Sequence, residues 1–258
     1  MTERTRPGTG STLLLVARLP FLFLHVLVGV PLVLLTFMPG LRDLRVGGLP
    51  LRHSSHRFWS RWMIRIFGVR LRVSGELPKG PWLAVANHIS WLDIVLLHAL
   101  WPMNLVAKAE IRSWPIIGLL AGVAGTIFIQ RGSEASRRRV NRRMAALLKR
   151  GERVGIFPEG GISQRAGVGR FHARLFAPAV RAGVPVLPVA IRYYRDGDLH
   201  DVMVFGRGEN FAGNLFRLLA QPVSEGQVMI GAPLLPGEQG RSGLAREAEQ
   251  TVKAFYES

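Results

Sequence analysis

The 258-residue sequence has no cysteine, only 17 acidic residues and only three tyrosines. The missing thiol excludes a disulfide framework, a thiolate metal site and a cysteine nucleophile, and leaves only oxygen and nitrogen donors for any metal. HExxH, Walker A and G-x-G-x-x-G words are absent too, which removes zinc-peptidase, P-loop and simple dinucleotide chemistry. No G-x-S-x-G word occurs, so the strained-turn serine nucleophile is missing as well. Against the few acids stand 34 lysines and arginines, a formal charge of +17. The mean hydropathy is nonetheless positive, +0.20, beside an isoelectric point near 11.6. A basic nucleic-acid binder is usually hydrophilic, whereas a protein resting on anionic lipid combines apolar burial with attraction to phosphate.

Much of the apolar surplus lies near the N-terminus, where Leu19 to Met38 is an uncharged run flanked by Arg4, Arg6 and Arg18 and by Arg42, Arg45, Arg52 and Arg57. As a straight helix that run would cover about 30 Å, the thickness of a hydrocarbon core. Pro20, Gly29 and Pro31 within it predict a kink or a broken pair of helices. Positive charge on both sides gives no orientation, so a span and a monotopic hairpin stand level. A cleaved secretory signal fits worse, because the run is too long and no A-x-A-like site follows. Arg57 to Phe67 sets Phe58, Trp62 and Phe67 among arginines, which suits either an interfacial helix or one packed on the core by its aromatic face. We divide the chain into residues 1–66, an anchoring region, and 67–258, a folded domain.

From Val69 the text alternates short β-rich runs with helical stretches. Strands are predicted at Val69–Val73, Trp82–Ala86, Asn104–Ala107, Thr126–Ile129, Val154–Phe157, Val186–Tyr193 and Val228–Ile230. Helices are predicted at Asp93–Leu100, Ser133–Arg150 and Ala173–Ala182, the last closed by Gly183. This alternation argues an α/β domain, a sheet covered by helices. The helix from Ser133 gathers Val140, Met144, Leu147 and Leu148 on one face and six basic residues, Arg137 to Arg139, Arg142, Arg143 and Lys149, elsewhere. The basic face is either solvated or a docking surface for something acidic; nucleic acid is disfavoured, because no aromatics interleave the patch.

Three words carry chemistry. Asn87-His88 through Asp93 follows an apolar strand and puts a carboxylate in the first turn of the next helix, from which it can hold Nδ1 of His88 and support an imidazolium. Read alone, His88 could equally cap that helix, with Asp93 placed for the helix dipole. Phe157-Pro158-Glu159-Gly160-Gly161 leaves another strand, with Glu159 presented at a sheet edge where a hydroxyl-rich substrate could be gripped; its plain alternative is a strand-end turn. Thr126 to Arg131 reads as a buried strand delivering an arginine suited to phosphate, or to a surface ion pair.

In this order and spacing, together with Val184-Pro185-Val-Leu-Pro188, the words resemble the glycerolipid acyltransferase family, the bacterial 1-acylglycerol-3-phosphate acyltransferases. The resemblance covers about residues 69 to 232, and Lys108-Ala-Glu110 with Pro115 and Gly118 resembles the segment between the first two motifs. It implies that family's α/β fold, a membrane-bound enzyme at the cytoplasmic face of the inner membrane, and no cofactor or metal. It implies acyl transfer from acyl-CoA or acyl-carrier protein to the free hydroxyl of 1-acylglycerol 3-phosphate, or of another lysolipid such as lyso-ornithine lipid. His88 then acts as general base and Asp93 orients it. Arg131, Glu159, Gly160 and Lys108 bind or shape the acceptor site, and Asn87, Phe157, Pro158 and Pro185 support the motifs. With no side-chain nucleophile, the acceptor hydroxyl itself would attack, and backbone N–H groups would hold the oxyanion. Gly161 departs from the family, where threonine is usual, with Ser163 two places on. A non-catalytic basic protein binding membrane or nucleic acid is the rival from another class, and oligomeric state has no signal in the sequence.

Overall fold

The structure is a computed structural model that describes residues 11–162 and 167–258. It opens with helix α1 (Thr12–Leu35), the short antiparallel pair β1 (Arg45–Val46) and β2 (Leu49–Pro50), and α2 (Leu51–Ile66). The domain then runs β3 (Val69–Ser74), β4 (Leu83–Ala86), α3 (Leu92–Leu100), β5 (Asn104–Lys108), α4 (Ile117–Val123), β6 (Ile127–Ile129), α5 (Glu134–Lys149), β7 (Val154–Ile156) and α6 (Ala177–Ala182). It closes with β8 (Val186–Arg195), β9 (Asp198–Leu199), α7 (Phe211–Leu219), β10 (Ser224–Ile230) and α8 (Gly240–Glu257).

Seven strands lie in the order β3-β10-β8-β4-β7-β5-β6, with β9 paired to β8. From β8 to β6 every neighbouring pair is parallel; β10 runs antiparallel to β8, and β3 follows β10. Side chains alternate across the sheet, as a period of two requires. Ala84 and Ala86 of β4 and Leu187, Val189, Ile191 and Tyr193 of β8 face one core, shared with α2, α3 and α7. Leu83, Val85, Val186 and Ala190 face the other, against α5, α6 and α8. A sheet buried on both faces explains why these strands read as continuous apolar runs.

Helix boundaries follow local chemistry. Ser133 caps α5 by accepting from Ser136 N–H at 3.1 Å. Gly183 takes φ 67° at the end of α6, as a C-terminal glycine should. The expected break in α1 does not occur: the helix runs unbroken through Pro20 and Pro31. Each proline removes one backbone bond, and the helix stays continuous while packed along α2 and α7. Arg18 ties α1 down by donating to the carbonyls of Leu219 (3.0 Å), the last residue of α7, and Gln221 (2.6 Å), just past it. Trp59 of α2 lies over Gly29, which has no room for a Cβ. By length and apolarity α1 could cross a membrane, and Phe21, Phe23, Leu27 and Leu32 are exposed on its outer face. The two readings of the second segment divide: Phe58 and Trp62 point outward, whereas Phe67 is buried edge-on against Trp91.

Candidate active site

The parallel strands β4, β7, β5 and β6 end on the same side of the sheet, and each delivers one sequence word there. Asn87 and His88 leave β4, Phe157 to Gly161 leave β7, Lys108 ends β5, and Arg131 follows β6. Ligands of open α/β sheets gather at such carboxyl ends.

Asn87 is fully buried and serves the sheet. Its amide donates to the Ile191 carbonyl (2.8 Å) and accepts from the Ile191 N–H (2.7 Å), supplying one more rung after the β4–β8 ladder ends. The main chain is thereby released toward α3, and His88 follows. His88 Nδ1 lies 3.0 Å from Asp93 Oδ2. That same oxygen accepts the N–H groups of Ile89 (2.7 Å) and Ser90 (2.8 Å), and Oδ1 accepts the Tyr193 hydroxyl at 2.7 Å. With three other donors on a fully buried carboxylate, Nδ1 carries the proton toward it and Nε2 is left as the basic nitrogen. Phe157 stacks on the imidazole at 3.8 Å between centroids and 12° between planes, which fixes the ring. Ile89 and Ser90 N–H groups are spent on Asp93 and are unavailable to an oxyanion.

Glu159 differs from expectation on two counts. β7 lies inside the sheet, between β4 and β5, so there is no edge at this point. The carboxylate also turns inward, accepting the His88 N–H at 3.3 Å and the Gly169 N–H. Glu159 therefore joins the β7 turn to the β4 turn rather than reaching for substrate. Burial pushes its carboxyl up to about 7, with Asp93 and Glu249 adding to the effect and the two N–H bonds opposing it. A carboxyl raised in the folded state stabilises the fold below its unfolded value, and that stability is lost as pH rises through about 7. Melting temperature should thus fall across this window, and Glu159→Gln should flatten that slope; an unchanged slope in the variant would refute the assignment.

Gly160 closes the turn with its N–H on the Phe157 carbonyl (3.2 Å) at φ 85°, which favours glycine. Arg131 leans back over β5 until its guanidinium lies 3.4 Å from where a Gly161 Cβ would stand. The strand before it is an edge strand, with Ile127 buried and Phe128 and Ile129 half-buried, rather than the buried strand expected. Lys108 is half-exposed and paired with Glu110 at 3.0 Å. Pro158 accepts the His172 N–H (2.9 Å), and Pro185 accepts the Leu83 N–H (3.0 Å), which sets β8 beside β4. Ser163 lies outside the described residues.

His88 opens on a cavity of about 1120 Å³. One part is apolar, walled by Leu22 and Val26 of α1, Trp59 and Met63 of α2, Val95 of α3 and Trp91 just before it. The other carries Lys108, Arg131, Arg137 and Arg174, and among the described residues no carboxylate lines the cavity. Sequence reading missed Tyr193, Arg174 and the contribution of α1 to this wall. Tyr193 sits 100 positions from Asp93, so only its place on the inward face of β8 could have indicated it.

A family profile described as Acyltransferase matches residues 69–192. The lyso-ornithine lipid O-acyltransferase of Pseudomonas aeruginosa is 43% identical over 79% of this chain and 79% of its own length. The 1-acyl-sn-glycerol-3-phosphate acyltransferase of Neisseria meningitidis is 41% identical over about half of each, 52% and 53%. Among solved structures, the 1-acyl-sn-glycerophosphate acyltransferase of Thermotoga maritima superposes with a TM-score of 0.74 at 23% identity, covering 95% of this chain and 94% of that one, which establishes a shared fold. The order of motifs, the strand ends that carry them and similarity extending over most of a relative's length agree, and the chain belongs to the acyltransferase family, as an enzyme that acylates lysolipids.

Proposed function

We propose that the enzyme transfers a fatty acyl group from a thioester, acyl-CoA or acyl-carrier protein, to the free hydroxyl of 1-acylglycerol 3-phosphate, giving phosphatidate. The observation that carries this reading is the joining, in one cavity, of a His–Asp pair, an apolar chamber and the cations Lys108, Arg131, Arg137 and Arg174, with Glu110, paired to Lys108, just outside the lining. A phosphate monoester suits that end, whereas a headgroup bearing an ammonium would face an excess of positive charge there. The acceptor hydroxyl gives its proton to His88 Nε2 while its oxygen attacks the thioester carbonyl. The carbon–sulfur bond then breaks, and the proton passes from His88 to the departing thiolate. Asp93 stabilises the imidazolium between these steps. No cofactor or metal enters the scheme.

Lyso-ornithine lipid is the second reading, favoured by one observation: the relative that acts on it by name matches most of this chain, while the phosphatidate-forming relative matches half. We assign α1 to the cytoplasmic leaflet of the inner membrane, lying along it, because Arg18 and the contacts with α2 hold it against the body. The exposed Arg139, Arg142 and Arg143 of α5 stand beyond Arg137 at the cavity wall and would attract CoA phosphates or an acidic carrier.

The test offers both acceptors to purified protein with a labelled acyl thioester. The expected result is a higher kcat/KM for 1-acylglycerol 3-phosphate. Arg131→Ala should raise the KM for that acceptor by about 10- to 100-fold, as loss of a charge-assisted contact implies. Preference for lyso-ornithine lipid, with Arg131→Ala indifferent to the phosphate, would transfer the assignment to the second reading.

A further inference from the structure

The apolar part of the cavity contains polar groups that the acyl-transfer chemistry does not use, among them the side chains of His56, Ser60 and His98 and the indole N–H of Trp59. α2 presents His56, Trp59, Ser60 and Met63 to it, and α3 presents Trp91, Ile94, Val95 and His98, each set at helical spacing. His56 and His98 meet across the two helices with ring centroids 4.4 Å apart. His98 is 7% exposed and Ser60 1%. Among the described residues the buried His98 Nδ1 and the Trp59 Nε1 beside it in the wall have no hydrogen-bonding partner. Leaving such groups unpaired in an apolar wall costs free energy, so their placement calls for a polar group from outside the chain.

The chemistry of that group is narrowed by its surroundings. Burial holds the His56 imidazole down to about 4 and His98 well below the usual range, so both rings are neutral, each with one donor and one acceptor. The nearby cations of α2 are turned elsewhere: Arg57 and Arg61 both donate to the Ala99 carbonyl, at 3.3 Å and 3.0 Å. A neutral site with apolar surface on either side suits a neutral hydrogen-bonding group within an apolar chain. His98 stands five residues beyond Asp93 on α3, about 7.5 Å along the helix, so the group would lie several methylenes from the reacting carbonyl. His56, Ser60 and His98 include no carboxylate, and no metal-binding cluster of three or more His, Asp or Glu side chains occurs among the described residues.

Resting on the acyl-transfer reading above, we propose that His56, Ser60 and His98 form a subsite for a hydroxyl group carried on a fatty acyl chain. The enzyme is then selective for hydroxylated chains, and the ring pair measures where along the chain the hydroxyl falls. Such a chain can arrive on the thioester donor or on the lysolipid acceptor, and the hydrogen bonds offered are the same.

The experiment uses the full chain in nanodiscs with tetradecanoyl thioester and a series of its hydroxylated forms differing in hydroxyl position, paired with an unsubstituted lysolipid. A second arm places the hydroxyl on the acceptor chain instead. The expected result is a kcat/KM at least about tenfold higher for one hydroxyl position in one arm than for the plain chain. In His98→Leu, and more weakly in Ser60→Ala, that ratio should fall toward one. The same comparison is made by displacement of a fluorescent fatty acid with free hydroxylated and plain tetradecanoic acids, which reads the subsite without turnover. Preference for the plain chain throughout both arms and in displacement, or a preference that survives His98→Leu, overturns the proposal. Absence of any transfer from the plain thioester would instead refute the acyl-transfer reading, and displacement would then decide the subsite alone.

Discussion

Replacing His88 by alanine should lower kcat for acyl transfer by about 10²- to 10⁴-fold, the usual worth of a positioned general base, while leaving the fold intact. The side chain carries one hydrogen bond, to Asp93, and Asp93 keeps the N–H groups of Ile89 and Ser90 and the Tyr193 hydroxyl after the ring is gone. No buried group is therefore stranded. Phe157 loses a stacking partner, worth about 0.5–1.5 kcal/mol between aromatic rings, so a small fall in melting temperature is expected beside the large fall in rate. Single-turnover acyl transfer at saturating donor and acceptor, with thermal melts on the same preparations, separates the two. Activity within threefold of wild type in a folded variant would mean that His88 is not the base.

Asp93→Asn should cost on the order of 10²–10⁴ in kcat, as removal of the orienting charge does in hydrolase triads, and Asp93→Ala should be worse for a different reason. The amide can keep its oxygen where Oδ2 stands, accepting from Ile89, Ser90 and His88, and can turn its NH₂ to Tyr193, whose hydroxyl rotates to accept. The fold survives, but the imidazolium loses its counter-charge. Alanine leaves two buried N–H groups and a buried phenol without partners, each costing about 1–3 kcal/mol. Asparagine should accordingly melt near wild type and alanine well below it, with both nearly inactive. If asparagine retained most of the wild-type rate, Asp93 would be a structural anchor for the turn and the imidazolium would need no charge.

The strands of the domain were legible because both faces of the sheet are buried, so Leu83 to Ala86 and Val186 to Tyr193 announce themselves as apolar runs. The three words that carry chemistry were legible because each ends a strand, and parallel pairing brings such ends together. What escaped was set by tertiary contact. α7 and α8 were not predicted, since half of what α8 buries is small, Gly243, Ala245 and Ala248 beside Leu244, Val252 and Tyr256, among many charges. Glu159 was misread because nothing in Phe157-Pro158-Glu159-Gly160 reveals that its carboxylate faces the His88 backbone. α1 was expected to break at its prolines because the sequence does not show Trp59 or the carbonyls of Leu219 and Gln221 waiting for it. His56 and His98 are 42 positions apart on helices that each read as ordinary, and only the pairing of α2 with α3 makes them neighbours.

Leu22 and Val26 face the cavity, while Phe21, Phe23 and Leu27 of the same helix are exposed, so α1 is at once a wall of the chamber and an apolar outer surface. Trimming α1 to remove that outer surface would therefore unroof the chamber and expose Trp59 and Met63 to solvent, so that solubility and turnover trade against each other in one helix. The helix with the most apolar outer face is thus also the one that closes the acyl chamber.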